Sequence, residues 1–240
     1  MRRSDISKTT DQALCLLLML GGQGPMSTTD LSRAAGMNRT VVHRLLKTLH
    51  GRGFVRRDGD AFGLGPVIVA LADRVEPGLR RNAVPVLKRM AAQTGETVTL
   101  ALLDGMEVVV AEQALGERHF VRIQNTLGSR HALHIGASGR VLLAYQSERF
   151  VERALRRMED PDRIQPLLDE IRRQGHATSR NELMEDVQGL AVPVVDRDGH
   201  AIACLTMLTP LSRAAVANEA LPELKQAADG LARSLERDGL

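Results

Sequence analysis

Residues 36–49, GMNRTVVHRLLKTL, carry two helical stripes at once. Val42, Leu45, Leu46 and Leu49 follow an i, i+3, i+4, i+7 spacing, which makes one apolar helix face. Thr40, His43, Arg44 and Lys47 repeat that spacing two residues out of phase, about 200° away around the helix. The apolar face needs a core to enter, and the opposite face is short, polar and basic. Gly36 supplies the left-handed stop of a preceding helix, and Asn38 is a good N-cap for the new one. The surrounding chain must therefore build a small helical core, turn sharply at Gly36, and leave the basic face outside.

The neighbouring segments fit that demand. Residues 8–20 read as an apolar helix that stops at Gly21-Gly22. Ser27-Thr28-Thr29-Asp30 is a hydroxyl cap with an acid three residues on, opening a short helix that turns Leu31, Ala34 and Ala35 inward. After Gly51 and Gly53, Phe54–Arg57 read as a strand, Asp58-Gly59 as a two-residue hairpin turn, and Phe62–Leu64 as the returning strand. Three helices, a tight turn between the second and third, and a two-stranded ribbon make a winged helix-turn-helix. Residues 66–78, PVIVALADRVEPG, read as a linker helix whose surplus apolar face suits pairing with another subunit. Pro77-Gly78 marks a boundary. The expected division is 1–65 for the DNA-binding domain, 66–78 for the linker and 79–240 for a second domain.

The second part alternates helix and strand. A helix over 79–94 carries Ala83, Leu87, Met90 and Ala91 in phase. TVTLALL and MEVVVAE form a hairpin across Asp104-Gly105, HFVRIQ reads as a third strand, and NTLGSRHAL as a loop. GASGRVLLAY opens a helix at Ala137, and two more helices cover 148–174. Strands VQGLAVPVV and HAIACLTML join across Asp198-Gly199. A long closing helix places Ala217, Leu221, Leu224, Ala228, Leu231 and Leu235 inward. Hairpin-joined strands with flanking helices predict an α+β domain on a mainly antiparallel sheet.

Charge separates the two parts. Residues 1–65 hold ten Lys/Arg against five Asp/Glu, and the remainder holds 22 against 24. A basic module joined to a near-neutral domain suits an anionic partner for the first part only. Aromatic residues make up 2% of the chain and Trp is absent, so a single-strand binder built on stacking rings is disfavoured. Cys15 and Cys204 are far apart, with no CxxC, which excludes a disulfide framework or zinc finger and favours a reducing cytoplasm. Arg2-Arg3 before ALCLLLML mimics a short signal peptide. Asp5, Lys8 and Asp11 interrupt it, however, and no small-residue cleavage site follows. No run approaches the ~20 apolar residues of a membrane span.

On duplex DNA, whose major groove admits a helix, each polar residue has a distinct task. Arg44 can bond a guanine edge in two places, Asn38 and His43 can also bond base edges, and Thr40 can meet a thymine methyl or a phosphate. Arg39, Lys47, Ser27 and Thr28 are placed to hold phosphates, and Arg56 and Arg57 on the wing to add backbone or minor-groove contacts. In the second domain Gly136-Ala137-Ser138-Gly139 fails the G-x-S-x-G nucleophile pattern because Arg140 holds the last place, so no catalytic residue is assigned. His131 and His134 lack companions that would complete a metal site, and no metal or cofactor is expected. The small-residue turn from Gly136 to Gly139 offers backbone N–H groups at a helix start; an anion pocket and simple close packing both fit it. Cys204 and Thr206 share one strand face, where core packing and ligand contact both fit Cys204.

With these motifs in order, the chain resembles the IclR family of transcriptional regulators over nearly its whole length. LSRAAGMNRTVVHRLLKTLHGRGFVRRDGDAFGLGPVIVAL is similar to the family's second helix, recognition helix, wing and linker start. TGETVTLALLDGMEVVV, LGSRHALHIGASGRVLLAY, IRRQGHATSRNE and GLAVPVVDRDGHAIACLTMLTP follow in the family's order and spacing. The resemblance implies a GAF-like effector domain, dimers that often assemble to tetramers, and control of operons by a small metabolite, often an organic acid or aromatic catabolite. It implies a ligand pocket using Gly136, Ala137 and Ser138 at the helix-opening turn, Asp196 after the PV strand, and Cys204 and Thr206 on the last strand. Arg140 stands where the family usually has Lys, and Asp186 where Gly is common. Two other readings remain on the residues alone: a hydrolase-like enzyme fused to a helix-turn-helix, and a constitutive DNA-binding protein whose second domain only oligomerises.

Overall fold

The computed structural model describes residues 7–72 and 77–237. The chain divides into two compact units, Met1–Pro77 and Gly78–Leu240.

The first unit runs α1 (Lys8–Gln23), β1 (Met26–Ser27), α2 (Thr28–Ala35), α3 (Arg39–Gly51), β2 (Val55–Asp58), β3 (Ala61–Leu64) and α4 (Pro66–Ala72). Leu16 and Leu20 from the apolar run of α1 meet Leu31, Val42, Leu45, Leu46 and Val55 in one core. The helix α1 does not stop at Gly21-Gly22. Those glycines take helical backbone, and the left-handed stop is Gly24 at φ 80°. Ala34 lies exposed instead of inward, because the eight residues of α2 fully bury only Leu31. Of the expected linker helix, Pro66–Ala72 is helical, and residues 73–76 lie outside the described residues.

The wing differs from expectation by one residue. Asp58 pairs with Ala61, so the two-residue turn is Gly59-Asp60, with Gly59 at φ 60°. β1 pairs with β3 and makes a three-stranded sheet, β1-β3-β2. Two residues are too few to show a strand period in sequence. Behind the wing, Gly65 donates its N–H to Phe54 at 2.8 Å. A Cβ there would stand 2.2 Å from the Gly53 carbonyl oxygen. Gly65→Ala is therefore expected to force the two backbones apart, at a cost on the order of 1–3 kcal/mol. Thermal unfolding would show a lowered midpoint for the first unit, and an unchanged midpoint would contradict this close approach.

The second unit runs α5 (Pro77–Thr94), β4 (Thr97–Asp104), β5 (Glu107–Ala114), β6 (Arg130–Ala132), α6 (Gly136–Ala144), α7 (Glu148–Leu155), α8 (Pro161–Gln174), β7 (Ala177–Arg180), β8 (Val187–Val195), β9 (Ala201–Pro210), α9 (Ala214–Glu219) and α10 (Leu221–Arg237). Its six strands are ordered β6-β5-β4-β9-β8-β7, and neighbours pair antiparallel. Helices cover both faces. Leu87 and Met90 of α5 and Leu224 and Leu231 of α10 share a core with Leu205 and Met207 of β9. On the other face Val141, Leu142 and Leu143 of α6 and Leu168 of α8 share a core with Cys204. Successive β9 side chains thus enter different cores, as period two requires.

Three sequence expectations change here. HFVRIQ is not a strand; the third strand is Arg130–Ala132, inside the stretch expected as a loop. Phe120 and Val121 are exposed. Side chains bond this segment's carbonyls in place of a neighbouring strand: Thr97 Oγ1 donates to Ile123 at 2.6 Å and Arg213 Nη2 to Val121 at 3.1 Å, and just beyond it Gln113 Nε2 donates to Asn125 at 2.7 Å. Hairpin turns again shift by one, since Asp104 pairs with Glu107 and leaves Gly105-Met106 as the turn. The closing helix is divided into α9 and α10, and Pro222, which lacks an N–H, sits where it is tolerated, in the first turn of α10.

Candidate functional site

In the first unit, α2, the Gly36 turn and α3 hold the basic face. Ser27 caps α2: its Oγ accepts the Asp30 N–H at 3.1 Å and donates to the Asp30 carboxylate at 2.6 Å. That hydroxyl is therefore engaged in the cap, and Thr28 beside it is half-buried. Gly36 takes φ 61°, and Ser32 Oγ donates to the Met37 carbonyl at 2.6 Å, which fixes the turn. Asn38 Oδ1 accepts the Thr40 N–H at 2.9 Å, so its oxygen caps α3, and the residue is exposed. Arg39, Thr40, His43, Arg44 and Lys47 are all exposed, opposite buried Val42, Leu45 and Leu46. Among the described residues, Arg39, Arg44 and Lys47 form no ion pair. On the wing Arg56 is exposed, whereas Arg57 Nε donates to the Gly59 carbonyl at 2.9 Å and its guanidinium lies 3.8 Å from Asp60.

In the second unit a cavity of about 160 Å³ lies between the sheet and the start of α6. This is below the ~300 Å³ at which drug-sized sites begin, so it suits a ligand of few atoms. Ser138 and Thr206 line it. Gly136 and Ala137 form the opening of the helix, and Gly136 takes φ 76°. Cys204 is fully buried beneath them, its Sγ 3.8 Å from both the Ser138 carbonyl oxygen and Thr206 Oγ1. Burial pushes its thiol up to about 12, so it packs as a neutral group. Gly136, Ala137, Cys204 and Asp196 are not among the lining residues. Asp196 closes the β8–β9 loop, its Oδ1 accepting N–H groups from Asp198 at 2.9 Å and His200 at 2.8 Å. Asp196, Asp198 and His200 bring three possible ligand atoms within 4.8 Å of one another on this loop, with the Asp196 oxygen already engaged by the turn.

The lining also holds Thr99, Asn125, Ser129, Arg130, Ser179 and Glu182, which sequence reasoning passed over, and His131, which it considered only as half of an incomplete metal pair. The period of TVTLALL pointed to Thr99, on the same strand face as Ala101. No local pattern points to Asn125 or Ser129, which come from irregular chain. Glu182 Oε2 accepts the Gly136 N–H at 2.8 Å. Arg140 grips the same carboxylate with two bonds, 2.7 Å from Nη1 and 2.8 Å from Nη2. These bonds hold the Glu182 carboxyl below its ordinary value against the opposing effect of burial.

His131 lies in the lining with Nδ1 3.1 Å from the Ala132 carbonyl oxygen and Nε2 3.1 Å from Ser138 Oγ. With Nδ1–H donating to that carbonyl, Nε2 accepts the Ser138 hydroxyl. Burial lowers the His131 pKa from 6.5, so the fold favours the neutral ring. The unfolded chain then binds the extra proton first, and stability conferred by neutral His131 is lost as pH falls through 6.5. Denaturant titrations between pH 7.5 and 5 are expected to show the second unit losing stability through this group as the pH falls. His131→Asn should flatten that slope, and an unchanged slope would contradict the assignment.

A helix-turn-helix with an uncompensated basic face, joined to an α+β unit that holds a small cavity of mixed apolar and polar lining, defines a transcriptional regulator with a DNA-binding and a sensory domain. Residues 9–59 match the IclR helix-turn-helix domain, and residues 74–237 match the model described as bacterial transcriptional regulator IclR C-terminal. The chain belongs to the IclR family of transcriptional regulators and is not an enzyme. It is 30% identical over 221 residues to the HTH-type transcriptional regulator BhcR of Paracoccus denitrificans, covering 86% of this chain and 78% of that one. An IclR transcriptional regulator from Alicyclobacillus acidocaldarius superposes with a TM-score of 0.78 at 26% identity, over 95% of this chain and 99% of that one. An IclR homologue from Microbacterium hydrocarbonoxydans, solved with 4-hydroxybenzoate, shares the fold with a TM-score of 0.77 at 23% identity, over 96% of this chain and 100% of that one. No helix among the described residues is long and apolar enough to cross a membrane.

Proposed function

We propose that this regulator binds palindromic operator DNA in the cytoplasm as a dimer or tetramer and is controlled by a small organic acid. In this reading residues 1–65 bind DNA, 66–78 link, and 79–240 sense the effector and oligomerise. The observation that carries the effector reading is the small cavity at the opening of α6, whose apolar walls carry a few polar groups such as Ser138, Thr206 and His131. First-turn amides of a helix have no intrahelical acceptor and sit at the positive end of its dipole, where a carboxylate is favoured. The Microbacterium homologue was solved with a carboxylic acid, which favours the same ligand class. Gly136, Ala137, Ser138 and Thr206 are assigned to the ligand, with Cys204 beneath them and Asp196 shaping the adjoining loop.

Exposed Leu14 and Leu18 on α1 and Val69 and Leu71 on α4 favour a second subunit that covers them. A two-fold dimer would read half-sites ~34–36 Å apart or a multiple of that. Effector binding then changes operator affinity through its differential affinity for two arrangements of the subunits. A thermal-shift screen of the full chain against small organic acids tests the proposal. A saturable rise in unfolding midpoint with one acid supports it, and no shift with any acid argues for a second domain that only oligomerises.

A further inference from the structure

We propose that Glu182 is a built-in occupant of the acid site, so that an effector carboxylate binds by displacing it and freeing the 181–186 segment. This inference rests on the organic-acid reading above. The donors around Glu182 are those an incoming acid needs: the Gly136 N–H at 2.8 Å and both Arg140 nitrogens at 2.7 and 2.8 Å. Arg140 also donates to the Thr178 carbonyl at 3.0 Å and to the His134 carbonyl at 3.4 Å, which holds the guanidinium in place whichever carboxylate it grips. The side chain of Arg140 is 11% exposed and that of Glu182 is 31% exposed. Arg140 is thus the fixed member of the pair, and Glu182 the one with a short path to water.

The segment is built to move as a piece. Asn181 and Asp186 both take φ 56°, so each end carries a left-handed residue. The polar bonds of the segment lie at those ends: Asn181 N–H to the Val187 carbonyl at 3.0 Å, Asp186 N–H to Asn181 Oδ1 at 2.8 Å, and Leu211 N–H to the Asp186 carbonyl at 2.8 Å. Among the described hydrogen bonds, Glu182 makes the only ones between 182 and 185. Leu183 and Met184 line the cavity yet keep exposed side chains, and Leu183 Cδ1 lies where a Cβ on Gly136 would come within 2.8 Å of it. With Glu182 released, nothing polar retains residues 183–185.

Charge decides which ligands can do this. A carboxylate that replaces Glu182 leaves Arg140 paired, and the displaced side chain regains water. A neutral polyol would leave a nearly buried guanidinium without its counter-ion, which is strongly unfavourable. The site therefore selects acids, and its apparent affinity is lowered by the fraction of time Glu182 occupies it.

Isothermal titration of the full chain with sodium pyruvate and sodium acetate, with glycerol as the neutral control, tests this in wild type, Glu182→Gln and Glu182→Ala. Hydrogen exchange of residues 181–186 is followed in parallel. Both variants are expected to bind one of the acids roughly tenfold more tightly than wild type, with no gain for glycerol. In wild type the acid should speed exchange at 183–185, and Glu182→Ala should show that fast exchange without ligand. Acid binding by wild type with unchanged or weaker binding by folded variants, or with slowed exchange at 183–185, overturns displacement and leaves the acid reading intact. Failure of every variant to bind either acid overturns both.

Discussion

Arg44→Ala weakens operator binding by ~1–3 kcal/mol and relaxes base preference at one position of each half-site. The expectation follows from the position of Arg44 on α3. It lies on the exposed face opposite Val42, Leu45 and Leu46, and those side chains anchor the helix in the core. Loss of the side chain removes a contact without disturbing the fold, so the change in affinity reports recognition alone. Lys47→Ala provides the contrast. A phosphate contact carries no sequence information, so its loss should weaken binding evenly across sequences and reduce the salt slope by about one. Fluorescence anisotropy with the operator and single-base variants separates the two. Unchanged affinity and preference for Arg44→Ala would remove α3 from the role of reading helix.

Gly136→Asp is expected to abolish the effector response while retaining operator affinity without effector. Gly136 sits at φ 76°, where a side chain adds ~1–2 kcal/mol of backbone strain. A Cβ would also press Leu183 Cδ1 at 2.8 Å. The new side chain would point toward Leu183 and His131, both in the cavity lining, where its carboxylate would repel an incoming acid. The helix-turn-helix belongs to the other packed unit, so DNA binding is expected to be retained. The readout is operator affinity with and without the acid found by thermal shift. A full response in the variant would contradict the placement of the effector at the α6 opening.

The sequence disclosed the first unit in detail because its signals are local. Ser27 and Asp30, Gly36 and Asn38 act on residues within four places of themselves, and each does so in the structure. The turns missed by one residue, Gly59-Asp60 and Gly105-Met106, show a different limit. Gly59 and Gly105 each take positive φ as the first turn residue, and the preceding Asp belongs to the strand. HFVRIQ misled because alternation signals a strand only when a neighbour is available to pair with it. Here Thr97 and Arg213, distant in sequence, satisfy its carbonyls instead. The cavity was half legible. The glycine turn at 136–139 and the period of β9 pointed to one wall. The other wall, with Glu182 and His131, depends on contacts across 46 and 7 residues that no local pattern encodes. Arg140 and Asp186 do not line the cavity; Arg140 holds Glu182 from behind, and Asp186 takes a left-handed backbone at φ 56°.

Selection of bound duplexes from a random-sequence pool by the full chain, at fixed salt and with excess competitor DNA, tests the DNA-binding role most directly. The expected result is an enriched inverted repeat whose half-sites lie ~34–36 Å apart or a multiple of that, with the preference at one position of each half-site lost when Arg44→Ala is used. A pool with no enriched motif, or one that Arg44→Ala enriches equally well, would contradict sequence-specific recognition by α3.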